Sequence, residues 1–522
     1  MGIRGLWNLH ASGQWYRLCD RRVRVSPPDA ARTLQTIRQI RDKTIELDTW
    51  EKVPFPSPLN SYFNYVYNID QDAGVFALSQ WSAVDDIRTP LTLEADLEKI
   101  CDDSRVIIKL WKFSQGGLPP RTGDSQNEQG LSTELSDSVE LLHIQTHLPT
   151  ALTELQQLFF FDFVFLWRSW IDDPYTWHYG SHVFNAFTKA ILRLASWDFE
   201  VSNNPDVKMP VSHSSIPRWN FPTEEIYYFH EFLIILHPHL DTTQRLPMAL
   251  ARAKASLQLS GKTTQNTNCI IISPHQIAFA ELSQQTTSCS EVFPLLADHS
   301  ASRCCAGFRI LAQVLSSSCW KKPHKETWGF PLPPEIISEI LHHLEPRDAV
   351  SFAQASFLAK ECYYAPVPQI GDLSVPKLEL SIPCCGNRTV LEKSGLQCSR
   401  CFSWYHRDCI ALETSSLPAT GSYTCATCSK EDPNARFHHP GGINTLDGRS
   451  RRRAYIIKID GSIKALRVQT STPAHLRPEL RRVGDLIHKY PKGLIDFTIR
   501  FNGDFSGLAY GLDDIELENI SR

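Results

Sequence analysis

Between Pro383 and Cys428 the sequence PCCGNRTVLEKSGLQCSRCFSWYHRDCIALETSSLPATGSYTCATC gathers seven of the chain's 15 cysteines around a single histidine, His406. Cys398 and Cys401, and again Cys425 and Cys428, are spaced C-x2-C, the separation at which one tight knuckle of backbone supplies two thiolates to a tetrahedral zinc. His406 and Cys409 form an H-x2-C pair, and Cys384 with Cys385 makes a fourth. Four pairs suffice for two closed sites, and so for two Zn2+ ions. With four protein ligands on each ion no position is left for a water, so the expected chemistry is folding of a small domain around metal, not hydrolysis. Adjacent residues reach one tetrahedron only with strain. Either both Cys384 and Cys385 ligate, or one of them gives way to Cys362, His438 or His439.

The order of the ligands narrows the type. A RING finger places its histidine one residue after a cysteine, whereas here four residues separate Cys401 from His406. With Trp404-Tyr405 directly before His406, and Tyr423 two residues before Cys425, residues 380–430 resemble a PHD-type finger. The resemblance implies that Cys384, Cys385, His406 and Cys409 hold one zinc, and that Cys398, Cys401, Cys425 and Cys428 hold the other. It also implies a possible partner class, since many such fingers read a histone tail through an aromatic cage around a methylated lysine. Trp404 matches one wall of that cage, but Gly395, Pro383 and Ser399 stand where other reader residues are usual. Trp404 therefore reads as a packed aromatic first and as a cage wall second.

Upstream, GFPLPPEIISEILHHLEPRDAVSFAQASFLAKECYYA carries a second signal. Pro333 and Pro334 suit a helix start, where a missing N–H costs nothing. Ile336, Ile337, Ile340, Leu341 and Leu344 then form one apolar stripe, Pro346 opens another helix, and Val350, Phe352, Ala353 and Phe357 follow at helical spacing. Residues 328–366 resemble an F-box through Leu332, Pro333, Glu335, Ile340, Leu341, Leu344, Pro346, Asp348 and Phe352. That resemblance implies docking onto a Skp-type adaptor of a cullin–RING ubiquitin ligase through Leu332, Pro333, Ile336, Ile340, Leu341 and Leu344. The rest of the chain would present an unknown protein substrate. The whole is similar to fungal F-box-like proteins with a PHD-type zinc finger, which implies a non-enzymatic interaction protein. The alternative is a chromatin-associated histone-tail reader acting through the finger.

The elements that must carry these segments read as an α+β multidomain chain. The 522 residues are 42% hydrophobic and 21% charged, enough for several cores. Residues 1–300 form a mixed α/β region. Within it Ser61–Trp81 predicts a hairpin turning at Asp70–Gly74, and residues 114–138, rich in Gly, Pro, Ser, Gln and Asp, a disordered insertion. Val183, Phe184, Phe187, Ile191, Leu194 and Ala195 predict a helix, and Glu224–Leu236 predicts another. Cys269–Ser273 and Ile277–Leu282 read as buried strands. Ala454–Ile459 and Ser462–Val468 flank an Asp460-Gly461 turn, and Leu494–Phe501 leads into Asn502-Gly503, so residues 450–522 predict a small β-rich C-terminal domain.

The formal charge of -4 gives no global basic field, and Arg449 with Arg451–Arg453 reads as a solvated loop, so no sequence-specific nucleic-acid binding is expected. No apolar run is long enough to span a bilayer, Leu158–Trp167 being interrupted by Asp162. An intracellular protein, in nucleus or cytoplasm, is the expectation. His230-Glu231 begins like a zinc-protease helix, but Ile234 occupies the position of the second histidine. His237-Pro238-His239 reads as an element end, and the acidic pairs Asp85/Asp86, Asp102/Asp103 and Asp172/Asp173 as turn or helix-start residues.

Overall fold

The computed structural model describes residues 5–20, 30–59, 63, 65–84, 87–102, 139–144, 151–171, 173, 175–176, 181–203, 218–240, 245–259, 266–283, 286–296, 306–316, 332–353, 355, 357–363, 369–370, 373–374, 377–379, 395–397, 404–406, 454–459, 462–468 and 495–514. The expected insertion at 114–138 and most of the expected finger at 380–430 lie outside the described residues. Helices and several sheets make a mixed α+β chain, and among the described residues no helix is long and apolar enough to cross a membrane.

Alternating apolar residues build the first sheet. Strands β1 (Gly5–Ala11), β2 (Gln14–Asp20), β3 (Glu51–Val53), β4 (Tyr65–Asp70), β5 (Val75–Val84) and β6 (Ile87–Asp96) lie in the order β3-β2-β1-β4-β5-β6. Only β1 and β4 run parallel. Trp7, Leu9, Tyr67, Ile69, Phe76 and Leu78 share one face, as the two-residue side-chain period requires. That face is covered by α1 (Ala30–Arg41) through Leu34, Ile37 and Ile40, and by α2 (Leu97–Asp102) through Leu97 and Ile100. The hairpin expected at 61–81 is β4–β5, with Gly74 at φ 68° in its turn. The β1–β2 hairpin was not anticipated, although its Ser12-Gly13 turn, with both residues at positive φ, is written in a recognisable dipeptide.

The second sheet contains β7 (Val139–Leu141), β9 (Ile226–Phe229), β10 (Phe232–Leu236), β11 (Thr267–Ile272), β12 (Gln276–Leu282), β13 (Thr287–Cys289) and β14 (Phe293–Pro294). Helix α6 (Arg245–Leu259) covers one face with Ala249, Leu250, Ala253 and Leu257. Ile234, Leu236, Ile270, Ile272, Ile277 and Phe279 on the other face enter the main core. There they meet α3 (Ala151–Leu166), α4 (Arg168–Ile171), α5 (His182–Ser196) and α7 (Ala306–Ser316). The expected helix at 183–195 is α5, capped by Ser181, whose hydroxyl accepts from the Phe184 N–H. The expected helix at Glu224–Leu236 is instead the β9–β10 hairpin, turning at His230 with φ 51°. Every residue of Phe232–Leu236 is buried, because β10 is hydrogen-bonded on both edges and covered on both faces. Such a run has no polar face, and its apolar continuity imitates a buried helix.

The third sheet joins C-terminal strands to a strand from the middle of the chain. It runs β17 (Lys377–Glu379), β20 (Ala454–Ile459), β21 (Ser462–Val468), β23 (Asp504–Asp514), β22 (Phe497–Phe501), β8 (Glu200–Ser202). The strands expected in 450–522 are present, and Asn502 and Gly503 both turn at positive φ. They do not close on themselves as a separate small domain. Their apolar residues Leu466, Val468, Phe497, Ile499, Phe501, Leu508 and Tyr510 are covered by α3 and α5, and β22 pairs with β8 nearly 300 residues earlier. Two contacts fix this joint: the Tyr510 hydroxyl donates to Asp162 Oδ2 at 2.9 Å, and the Trp167 indole donates to the Ser506 carbonyl at 3.1 Å. Asp162, which interrupts the apolar block in the sequence, is thus a buried acceptor.

Two small ladders complete the strands, β15 (Gln369–Ile370) with β16 (Leu373–Ser374) and β18 (Gly395–Gln397) with β19 (Trp404–His406). Three helices, α8 (Pro334–His343), α9 (Pro346–Ala353) and α10 (Phe357–Tyr363), occupy the segment expected to hold two.

Candidate functional site

Helix α8 starts where the prolines dictate, with Pro333 at the N-cap and Pro334 inside the first turn, and ends where the Leu344 N–H bonds the Leu341 carbonyl. The three helices α8, α9 and α10 pack on one another, with Ile337, Ala349, Val350, Ala353 and Ala359 buried. Alanine at three of those five positions lets short helices approach closely. The stripe expected from sequence divides here: Ile337 turns fully inward, whereas Ile336 is 47% exposed. Leu332, Ile340, Leu341 and Leu344 are half-buried and Pro333 is exposed. A helix whose inner side is already satisfied therefore keeps a second apolar side at its surface, flanked by the exposed Glu339–His343 pair at 3.2 Å.

The helices are fastened to the body of the protein. Helix α9 packs on β8, and burial beside Glu200 pushes the Tyr363 phenol at the end of α10 up to about 12. The apolar side of α8 is therefore presented from a fixed base.

Of the expected zinc ligands, Cys384, Cys385, Cys398, Cys401, Cys409, Cys425 and Cys428 lie outside the described residues, and His406 lies on β19 with Trp404. The β18–β19 ladder pairs Gly395 with His406, Leu396 with Tyr405 and Gln397 with Trp404, so the segment carrying Cys398 and Cys401 connects two antiparallel strands. A donor set of seven thiols and one imidazole fits zinc. Four cysteines outside that segment are described in detail. Cys101, Cys269 and Cys289 are buried, and burial raises all three thiols, Cys289 to about 12. They are core residues, not ligands in waiting. Cys362 lies on α10 with its sulfur 3.8 Å from the Pro334 carbonyl.

The signals set aside in the sequence have structural explanations. His230 sits in a strand turn, and His237 Nδ1 lies 2.7 Å from the His239 carbonyl, closing a local bend. His10, Asp70 and Asp72 converge at the hairpin tips, where Asp72 accepts from the Ser12 and Gly13 N–H groups and Asp70 from the Ala73 N–H. Those carboxylates cap turns.

Asp173, of the acidic pair Asp172/Asp173, flanks a turn as expected, its carbonyl accepting from the Thr176 N–H. It is buried, and its carboxylate accepts from Leu59 N at 2.8 Å and Tyr175 N at 2.9 Å, tying the segment before β4 to the segment after α4. Burial outweighs these hydrogen bonds and raises its pKa from 3.8 to about 6. The folded state then holds this proton more tightly than the unfolded chain does. Its stabilising contribution is full below the unfolded value and is lost as pH rises through the folded one. Relative to Asp173→Asn, wild type is expected to lose about 2 kcal/mol between about pH 4.5 and about pH 7.5, measured by denaturant titration. A difference that does not change with pH would contradict this.

Compared with family models, with curated proteins and with solved structures, the chain finds no match.

Proposed function

We propose that the chain is a non-enzymatic substrate adaptor of a cullin–RING ubiquitin ligase. The apolar side of α8 would dock a Skp-type adaptor, and the two-zinc PHD-type finger would serve as a folded structural module beside it. The observation that supports this best is the exposed Ile336, flanked by Pro333 and the half-buried Leu332, Ile340 and Leu344, on a helix whose other side is already packed. An amphipathic helix with a spare apolar side suits a partner's groove, and desolvating such anchors supplies binding energy. Attachment of α9 to β8 supports a fixed geometry between the adaptor and whatever residues 1–300 present.

Ile336 is the discriminating residue because its side chain is outside the core. Ile336→Asp is expected to weaken adaptor binding at least about a hundredfold, with Leu344→Asp close behind. The melting temperature of Ile336→Asp should stay near that of wild type, whereas Ile337→Asp should unfold the helices. Calorimetric titration of purified adaptor into each full-length variant reads both effects. Undiminished adaptor binding by Ile336→Asp would remove this face from the interface. Absence of adaptor binding by the folded wild type would turn attention to histone peptides and Trp404→Ala.

A further inference from the structure

His10 near the end of β1 and Asp70 at the end of β4 stand directly opposite in the parallel pairing of those strands, and Asp72 follows in the β4–β5 turn. Two hairpins thus bring one imidazole and two carboxylates to one point. His10 Nδ1 lies 3.1 Å from Asp70 Oδ1 and 3.7 Å from Asp72 Oδ2, and one donor atom from each residue falls within 4.8 Å of the other two. Donors held about 2.0–2.2 Å from one metal ion stand roughly 3–4 Å apart, so this spacing fits a shared ion. Each donor is also held in place by a neighbour. Trp15 stacks on the His10 ring with centroids 4.7 Å apart, the Ser12 and Gly13 N–H groups fix Asp72, and the Ala73 N–H fixes Asp70. Those backbone bonds use one lone pair of each oxygen they touch and leave another. The charge is unbalanced as well. Even a protonated His10 supplies one positive charge to two carboxylates, and among the described residues no lysine or arginine lies within ion-pair distance of either.

We propose that His10, Asp70 and Asp72 bind a first-row divalent cation through one imidazole nitrogen and two carboxylate oxygens, with water on the remaining positions. The donor set has no thiolate, so it suits a manganese-type ion and differs from the thiol-rich finger. Binding neutralises the excess negative charge and staples the β1–β2 turn to the β4–β5 turn. The site opens to solvent on the Asp72 side, where that side chain is 42% exposed against 23% for His10 and 22% for Asp70. An ion can therefore enter without unfolding either hairpin.

The test titrates Mn2+ into the full-length protein and follows the free ion by electron paramagnetic resonance, because thiolate sites discriminate against Mn2+ and the finger does not compete for it. Wild type is expected to take up one Mn2+, and His10→Ala and Asp72→Asn each to weaken that binding at least about tenfold. Circular dichroism checks that both variants are folded. Pulsed resonance on the wild-type complex gives a readout that needs no variant, since an imidazole ligand couples its nitrogen to the bound manganese. No uptake by folded wild type at millimolar Mn2+ would overturn the assignment, and so would bound manganese without nitrogen coupling or undiminished affinity in both variants.

Discussion

The purified chain is expected to hold two zinc ions, and Cys425→Ser to hold one. A thiolate-rich structural site binds zinc with an apparent free energy of about 10–16 kcal/mol, and for a small finger that binding energy is also folding energy. Losing one of four ligands leaves a site that can neither close its tetrahedron nor hold the strands around it. Elemental analysis by mass spectrometry gives the stoichiometry, and limited proteolysis across residues 380–430 gives the structural consequence, with cleavage much faster in Cys425→Ser or after chelation. The adjacent cysteines are separated by making Cys384→Ser and Cys385→Ser one at a time. If both ligate, each loses one zinc; if one is a bystander, that variant keeps two. A metal-free chain with an equally protected finger would refute the zinc reading.

Gly307→Ala is expected to destabilise the fold by about 3 kcal/mol or more. Helix propensity argues the other way, since alanine in place of glycine inside a helix gains about 1 kcal/mol. Geometry decides the sign. Gly307 lies in the first turn of α7, where an added Cβ would stand 2.6 Å from Ile277 Cγ2 on β12 and 2.6 Å from the Pro294 carbonyl oxygen on β14. One of those atoms is backbone in a paired strand and the other belongs to a fully buried side chain, so neither yields cheaply. Displacing α7 would also disturb Phe308, which stacks on Phe160 of α3. Equilibrium denaturation should show a clearly lowered midpoint. An alanine variant as stable as wild type would mean that α7 does not approach the second sheet so closely.

Local chemistry made part of this architecture readable. Tight turns announce themselves, and the hairpins around Asp460-Gly461, Asn502-Gly503 and residues 70–74 form where those dipeptides and glycines stand. The helical spacing of apolar residues from Val183 to Ala195 gave α5 for the same reason. What was not readable depends on partners distant in sequence. Phe232–Leu236 is a strand because β9 and β11 flank it, and nothing within five apolar residues says so. The union of β22 with β8, and of Tyr510 with Asp162, spans some 300 residues and leaves no periodic trace. Helix α8 shows both sides of this. Its apolar character was plain, but only the packing of α9 and α10 decides that Ile337 is core and Ile336 is surface.

That division of α8 carries the functional reading, and the most direct test is to titrate purified Skp-type adaptor into the full-length, zinc-loaded chain. The expected result is a one-to-one complex of micromolar affinity or tighter, corresponding to roughly 8 kcal/mol, which an interface centred on a few apolar anchors can supply. A folded chain that shows no binding even at high micromolar adaptor would contradict it.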